Sequence, residues 1–255
     1  MRIITYNIEY GGFKMRSDKI TILVNMIERL KPDVVCFQEI STLRGNDITL
    51  RICEVLGWYY VRNRRASISI VSKHKIVKKH IELNYTNTMG VTIDIDGYLI
   101  NIYNIHMNDL PGTPTTIKGV EYPDTPFIKN EKLAVSMSFS TKWKDLRSVM
   151  KSIKNNPVKK TIIVGDFNEP SHLDSDIPWK CSLFLQKFGF VDSMRALYKS
   201  PVKYPLMTYN TYNSEPYPQE RIDLVYHQKL KPINLKLIPN KGLSDHRPVL
   251  VDYNI

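Results

Sequence analysis

Nine polar residues stand where apolar runs stop: Asn7, Glu9, Glu39, His106, Asp166, Asn168, Asp223, Asp245 and His246. Five of them are carboxylates. If they converge in a chain of net charge +11, five acids repel one another and raise each other's pKa unless a cation neutralises them. Carboxylate and amide oxygens suit Mg²⁺ or Mn²⁺, whereas a zinc site would show more His or Cys. An ion held in this way coordinates a phosphate oxygen and stabilises the charge that develops during displacement. An Asp accepts a proton from an attacking water, and Asn and His donate to phosphoryl oxygens. The chemistry implied is hydrolysis of a phosphoester.

The densest part of this set is IIVGDFNEPSHLD, residues 162–174. Ile162, Ile163 and Val164 read as the end of a fully buried strand. Gly165 breaks the run, and Asp166, Asn168 and Glu169 follow within four residues. An Asp and an Asn two apart at the end of an extended segment point the same way. Pro170 stops further pairing. A buried strand delivering Asp and Asn to one rim builds a polar site on a rigid floor. The same residues also suit a solvated turn.

Stepping outward, the other candidates also sit at the ends of elements. Residues 2–8 read as a strand ending on Asn7 and Glu9, with a turn at Gly11–Gly12. Ile20, Leu23, Met26, Ile27 and Leu30 share one helical face. Pro32 ends that helix, and residues 33–39 form a second buried strand ending on Glu39. This β-α-β unit predicts parallel strands whose C-terminal edge carries Asn7, Glu9 and Glu39, the edge where ligands gather. A helix over 46–56 follows, then strands at 58–61, 67–72, 76–83, 89–95 and 98–105, the last ending on His106. Asp96–Gly97 is a hairpin turn.

Residues 108–127 read as a long loop. A helix over about 129–154 follows, its core stripe being Phe139, Trp143, Leu146, Met150 and Ile153. Another helix runs from Trp179 to Gly189, and 199–220 is loop with a short strand near Met207–Tyr212. Strands are expected at 221–226, 235–238 and 249–251. The whole of 1–255 is expected to form one domain of two packed sheets.

TYN at 5–7, QE at 38–39, a strand ending in His106, GDFN at 165–168, RID at 221–223 and SDH at 244–246 occur in that order. Together they resemble the ordered signature of the endonuclease/exonuclease/phosphatase superfamily, which includes deoxyribonucleases, AP endonucleases, inositol polyphosphate phosphatases and neutral sphingomyelinases. The match covers nearly the whole chain. The resemblance implies an α/β fold, a four-layered sandwich in which two central mixed β-sheets pack face to face with helices outside. It implies Glu39 as principal metal ligand for Mg²⁺ or Mn²⁺, with Asn7, Glu9 and Asp245 near the metal or its water. Asp166 would then orient and deprotonate the attacking water, Asn168 and His106 hold the scissile phosphate, and His246 bind or protonate a phosphoryl oxygen. Asp223 would orient His246, which also makes physical sense because a carboxylate fixes a histidine's tautomer.

Asn7, His172 and Arg221 are candidates for substrate contact, although Arg221 reads more readily as a brace for its strand. GDFNEPSHLD and TPFIKNE (125–131) look similar to a bacterial-type branch, in which His172 and Asp174 either add contacts or merely cap the loop. Met107 and Asn108 depart from the Leu and acid of many relatives, so substrate preference does not transfer.

The basic excess is clustered at Arg62, Arg64 and Arg65, then Lys73, Lys75, Lys78 and Lys79, then Lys151, Lys154, Lys159 and Lys160. The first cluster follows Trp58, Tyr59 and Tyr60, and aromatics beside arginines suit a nucleic-acid strand. A solvated basic face is the plainer alternative. The expected activity is a metal-dependent phosphodiesterase acting on nucleic acid by in-line attack of water. The alternative is a phosphatase or phosphodiesterase of a small or lipid phosphoester, with 108–127 and 199–220 as pocket walls. No apolar run approaches the ~20 residues that span a bilayer. With no apolar signal segment and three cysteines lacking metal spacing, an intracellular monomer is expected, with no pointer to a protein partner.

Overall fold

The chain's architecture comes from a computed structural model that describes residues 1–41, 48–80, 83, 86–121, 128–210, 212 and 217–255. Strand β1 (Arg2–Asn7) passes through a kinked turn, α1 (Glu9–Gly12), and a 3₁₀ segment (Phe13–Asp18) into α2 (Lys19–Leu30). Strand β2 (Val34–Gln38) then lies parallel to β1. Next come α3 (Thr49–Leu56), β3 (Tyr59–Asn63) and β4 (Ile68–Ser72). The second sheet opens with β5 (Ile76–Lys79), β6 (Thr88–Ile95) and β7 (Tyr98–His106). A short helix, α4 (Thr113–Ile117), precedes the long α5 (Glu131–Asn155) and β8 (Lys160–Asp166). The chain continues through α6 (Lys180–Lys187), β9 (Val191–Asp192) and α7 (Ser193–Leu197) to β10 (Asp223–Gln228), β11 (Lys231–Leu237) and β12 (Val249–Asn254).

The strands form two mixed six-stranded sheets, ordered β11-β12-β1-β2-β4-β3 and β5-β6-β7-β8-β10-β9. Strict alternation along β1 and β2 explains the layering. Ile3 and Val34 face a core shared with Ile102, Ile162 and Val225 of the other sheet. Ile4 and Val35 face outward onto Leu23, Ile27 and Ile52 of α2 and α3. The second sheet repeats the pattern, with Tyr103 and Ile163 covered by Leu146, Val149 and Leu185 of α5 and α6. Four layers follow: helices, sheet, sheet, helices. Strands covered on both faces carry nearly unbroken apolar runs, as here.

Several details differ from the sequence reading. Gly165 does not interrupt its strand, because β8 runs on to Asp166. The glycine is required by a close approach: at φ +138° an added Cβ would lie 2.0 Å from the Ile105 carbonyl oxygen. Glu9 and Glu39 are not extended strand ends but left-handed residues (φ 54° and 56°) just beyond them. The predicted stripe on α5 is displaced. Trp143 is 40% exposed and packs on Phe139 and Phe184, while the buried side carries Ala134, Val135, Leu146 and Val149 beside Ser138, Lys142 and Asp145. The short strand near 207–212 reduces to isolated bridges from Tyr209 to Glu220 and His246. β5 stops at Lys79, β10 begins at Asp223, and β11 begins at Lys231. Positions 46–47, 81–82 and 125–127 of the expected helix, strand and TPFIKNE segment lie outside the described residues.

Candidate active site

Register alone brings the polar strand ends together. In the first sheet Asn7 pairs with Gln38, one residue before Glu39. In the second, His106 and Asp223 both pair with Asp166, from the parallel and antiparallel sides of β8. A polar chain locks the two sheets beneath this edge: Gln38 Nε2 donates to Asn104 Oδ1 at 2.7 Å, and Asn104 Nδ2 donates to the carbonyls of Phe37 and Ser69. Groups so fixed from both sides are held at short range without relying on loops.

Asp166 is the meeting point. Asn7 Nδ2 donates to its Oδ2 at 3.1 Å, and the Asn168 backbone N–H donates to its Oδ1 at 2.9 Å. His246 Nε2 lies 3.7 Å from Oδ2 and His106 Nε2 lies 3.9 Å from it. His106 Nε2 is also 3.8 Å from Glu39 Oε1. His246 Nδ1 is 2.7 Å from Asp223 Oδ2. Glu9 Oε2 accepts from the Asp245 backbone N–H at 3.0 Å and pairs with Lys14 at 2.9 Å. Asn168 Nδ2 is anchored on the Met107 carbonyl.

These groups open on one cavity of about 580 Å³, lined among others by Glu9, Glu39, His106, Asp166, Asn168, Asp245 and His246. Its walls are the two long connections: Asp109, Gly112 and Thr115 on one side, Tyr209, Tyr217 and Glu220 on the other. Lys118 Nζ reaches Glu220 Oε1 at 3.0 Å and ties the walls together. Tyr10, Asp109, Tyr209 and Glu220 were not singled out from sequence. Glu220 adjoins the RID motif, and Asp109 follows His106 by three residues, so both carried a positional signal.

The electrostatics fit proton handling. Burial pushes the Asp166 carboxyl up to about 6; His246 and His106 pull it down and Asp223 pushes it further up. Burial opposes charge on His246, but Asp223 and Asp166 outweigh it and hold the ring well above the usual histidine range. Burial also raises Glu9 and Glu220, while Lys14 and Lys118 respectively pull them down.

Not every candidate arrives here. Asn7 is 1% exposed and lies under the cavity, its Oδ1 taken by the Glu9 N–H and its Nδ2 shared between Glu39 and Asp166. Both ends of its amide are thus engaged within the protein, the nitrogen between two carboxylates and the oxygen on a backbone N–H. Arg221 is fully buried and points away, paired with Asp192 at 2.7 Å and Asp174 at 2.8 Å. The reason is physical: Asp192 is fully buried and its ion pair is with this guanidinium, so removing it would leave that carboxylate without its cation. Asp174 also holds Arg195 at 2.7 Å. His172 is fastened to Ser182 Oγ by its backbone N–H and its Nδ1. His172, Asp174 and Arg221 therefore brace the loop beyond Pro170 and do not line the cavity.

The basic clusters also divide. Lys160 begins β8 and Asp166 ends it, so the Lys151–Lys160 group lies at the opposite end of the sandwich, roughly 20 Å away. Lys73 and Lys75 follow the far end of β4. Only the Arg64–Arg65 turn adjoins the cavity, through Ser67.

A family model described as the endonuclease/exonuclease/phosphatase family matches residues 4–246, which span every motif above. The chain belongs to the endonuclease/exonuclease/phosphatase family. The Caenorhabditis elegans uncharacterized protein F14F9.5 is 24% identical over 262 residues, covering 89% of this chain and 78% of that protein. Danio rerio TDP2, in complex with a single-strand DNA product, superposes with a TM-score of 0.68 at 16% identity, covering 100% of this chain and 99% of that one. An AP endonuclease from Archaeoglobus fulgidus does so at 0.63 and 13% identity, covering all of both chains. At such identities the structural likenesses establish the fold, which is the family's four-layered sandwich. No helix among the described residues is long and apolar enough to cross a membrane.

Proposed function

We propose that this family member is a divalent-cation-assisted phosphodiesterase that hydrolyses nucleic acid by in-line attack of water. The observation that carries the reading is the convergence of Asn7, His106, Asp223 and His246 on Asp166 at the floor of one cavity.

The family implies a metal ion, and the donors present fit one. Glu39 and Asp245, with Glu9 beside them, set hard carboxylate oxygens around the cavity, the ligand type that suits Mg²⁺ or Mn²⁺. The tightest cluster is a different one: atoms of Asp166, Asp223 and His246 lie within 4.8 Å of one another. Its histidine is already engaged by Asp223, so we read this trio as a proton chain and assign the ion to Glu39, Asp245 and Glu9. When bound, such an ion polarises a phosphoryl oxygen and offsets charge on the leaving oxygen.

The chain's own groups do the rest. Asp166, near 6 and oriented at both oxygens, orients a water and accepts its proton at neutral pH. His246, kept protonated and oriented by Asp223, donates from Nε2 to a phosphoryl oxygen. His106 and Asn168 hold the phosphate from the second sheet. The D. rerio TDP2 structure, with its single-strand DNA product, supports a nucleic-acid substrate within this fold.

One observation favours the small-phosphoester reading: the cavity is walled by both long connections and tied across by Lys118–Glu220. Turnover with Mg²⁺ or Mn²⁺ against a chelator control, on single-stranded and plasmid DNA, RNA, inositol phosphates and a generic phosphodiester, separates the two. Cleavage of nucleic acid supports the proposal; cleavage of small phosphoesters alone replaces it with the second reading.

A further inference from the structure

From Val55 to Ile81 the chain carries seven Lys or Arg residues and no Asp or Glu. The fold gives part of this bias a direction. β3 and β5 are the open edge strands of the two sheets, and they meet on one side of the sandwich, where Asn63 Nδ2 reaches across to the carbonyls of Thr86 and Thr88. Arg64 and Arg65 are exposed and sit in the turn whose Ser67 lines the active cavity. Further down the same side, a cleft of about 310 Å³ opens between the edges, lined by Tyr60, Arg62 and Lys79. Lys78, exposed, stands beside it, and Tyr59, 50% exposed, ends the row. Among the described residues, none of Arg64, Arg65, Lys78 and Lys79 pairs with a carboxylate.

We infer that this edge is a track for one strand of nucleic acid, running from the cavity mouth at Arg64 and Arg65 to the cleft at Tyr60, Arg62 and Lys79. The inference rests on the phosphodiesterase reading for the strand's other end, which enters the cavity. The shape and charge suit a single strand. The cations are spaced along a strand edge, an aromatic lines the cleft between them, and every base has a face that stacks on such a ring. From Asn63 to Tyr59, β3 runs roughly 13 Å, about four stacked nucleotides at a 3.4 Å rise. The cavity itself is acidic, with Glu9, Glu39, Asp109 and Asp245 on its walls. A polyanion therefore needs cations outside it to stay bound. Lysines on an open strand edge also deter pairing with another chain, and the test separates that role from this one.

The experiment uses the full chain in chelator, so that binding is read without cleavage. Fluorescence anisotropy follows a labelled single strand of about 15 nucleotides and one of about 4, across a salt series. The variants are Arg64→Gln with Arg65→Gln, and Lys78→Gln with Lys79→Gln, each checked by thermal melting. The wild type binds the longer strand more tightly. Each pair of substitutions weakens that binding roughly tenfold and lowers the slope of log K against log salt by about 1.4, while metal-supplemented turnover of bis(4-nitrophenyl) phosphate stays at the wild-type rate. Wild-type affinity and slope in both variants would overturn the track and leave the cations as edge guards. Binding of phosphatidylserine vesicles lost in the variants, with strand binding unchanged, would overturn it in favour of a lipid surface. If the wild type cleaves no nucleic acid yet its strand binding falls in both variants, the track stands and the substrate reading fails.

Discussion

Asn7 and Asp166 are 159 residues apart and belong to different sheets, yet Asn7 Nδ2 donates to Asp166 Oδ2 at 3.1 Å. This bond fixes Asp166, the proposed base, to the strand end of the other sheet. The same amide holds Glu39 Oε1 at 3.0 Å, so one side chain sets the spacing of two carboxylates.

Asn7→Ala should therefore cost both stability and rate. A buried hydrogen bond to a charged group contributes about 1.5–3 kcal/mol, and urea denaturation should show a loss of that order. Turnover should fall at least about tenfold, because a 1.4 kcal/mol error in holding the base already costs that much. An unchanged rate in a destabilised protein would show that Asp166 does not need this orientation.

Arg221→Met separates a brace from a substrate contact. The guanidinium pairs with buried Asp192 and with Asp174, and breaking a buried pair by removing one partner costs about 3–5 kcal/mol. The expected result is a sharply lower urea midpoint with an unchanged rate per folded molecule. A raised KM with intact stability would return Arg221 to the substrate.

How much of this was legible beforehand follows from where the information resides. Asp166, Asn168, Asp223 and His246 were readable because short motifs at strand ends carry their own geometry. For Arg221 the sequence favours a brace over a substrate contact but does not name its partners, which lie 29 and 47 residues away on connections whose folding the local pattern does not dictate. The α5 stripe misled for a related reason. Trp143 and Phe139 pack on Phe184 of α6, while Asp145 is satisfied by Asn87 and Ser138 by Glu169 on the sheet side. Apolar periodicity shows that a face is covered, but not by which neighbour. Asn7 stands out in sequence as a polar strand end, but its hydrogen bonds to carboxylates of both sheets appear only once the two are packed.

A pH effect on stability should come from His227, far from the cavity. Burial pushes its ring down to about 4, against a slight upward pull from Asp192; Nδ1 is 2.8 Å from Ser193 Oγ. With the folded value depressed, the neutral ring's contribution is complete above the unfolded value of about 6.5. It is lost as pH falls from there towards about 4, because only the unfolded chain takes up the proton. Urea midpoints at pH 7 and pH 5 should differ less in His227→Gln than in the wild type. Equal differences would assign the acid sensitivity to other groups.

The central claim is that Asp166 activates a water for phosphodiester hydrolysis beside a divalent cation. The direct measurement is turnover of a labelled single-stranded oligonucleotide by wild type and Asp166→Asn, with Mg²⁺ and with chelator, on proteins of matched melting temperature. The account predicts wild-type cleavage only with the metal, and a loss of at least about 10²-fold in the variant, the scale of a general base. Cleavage by Asp166→Asn near the wild-type rate, or wild-type cleavage that survives chelation, would contradict it.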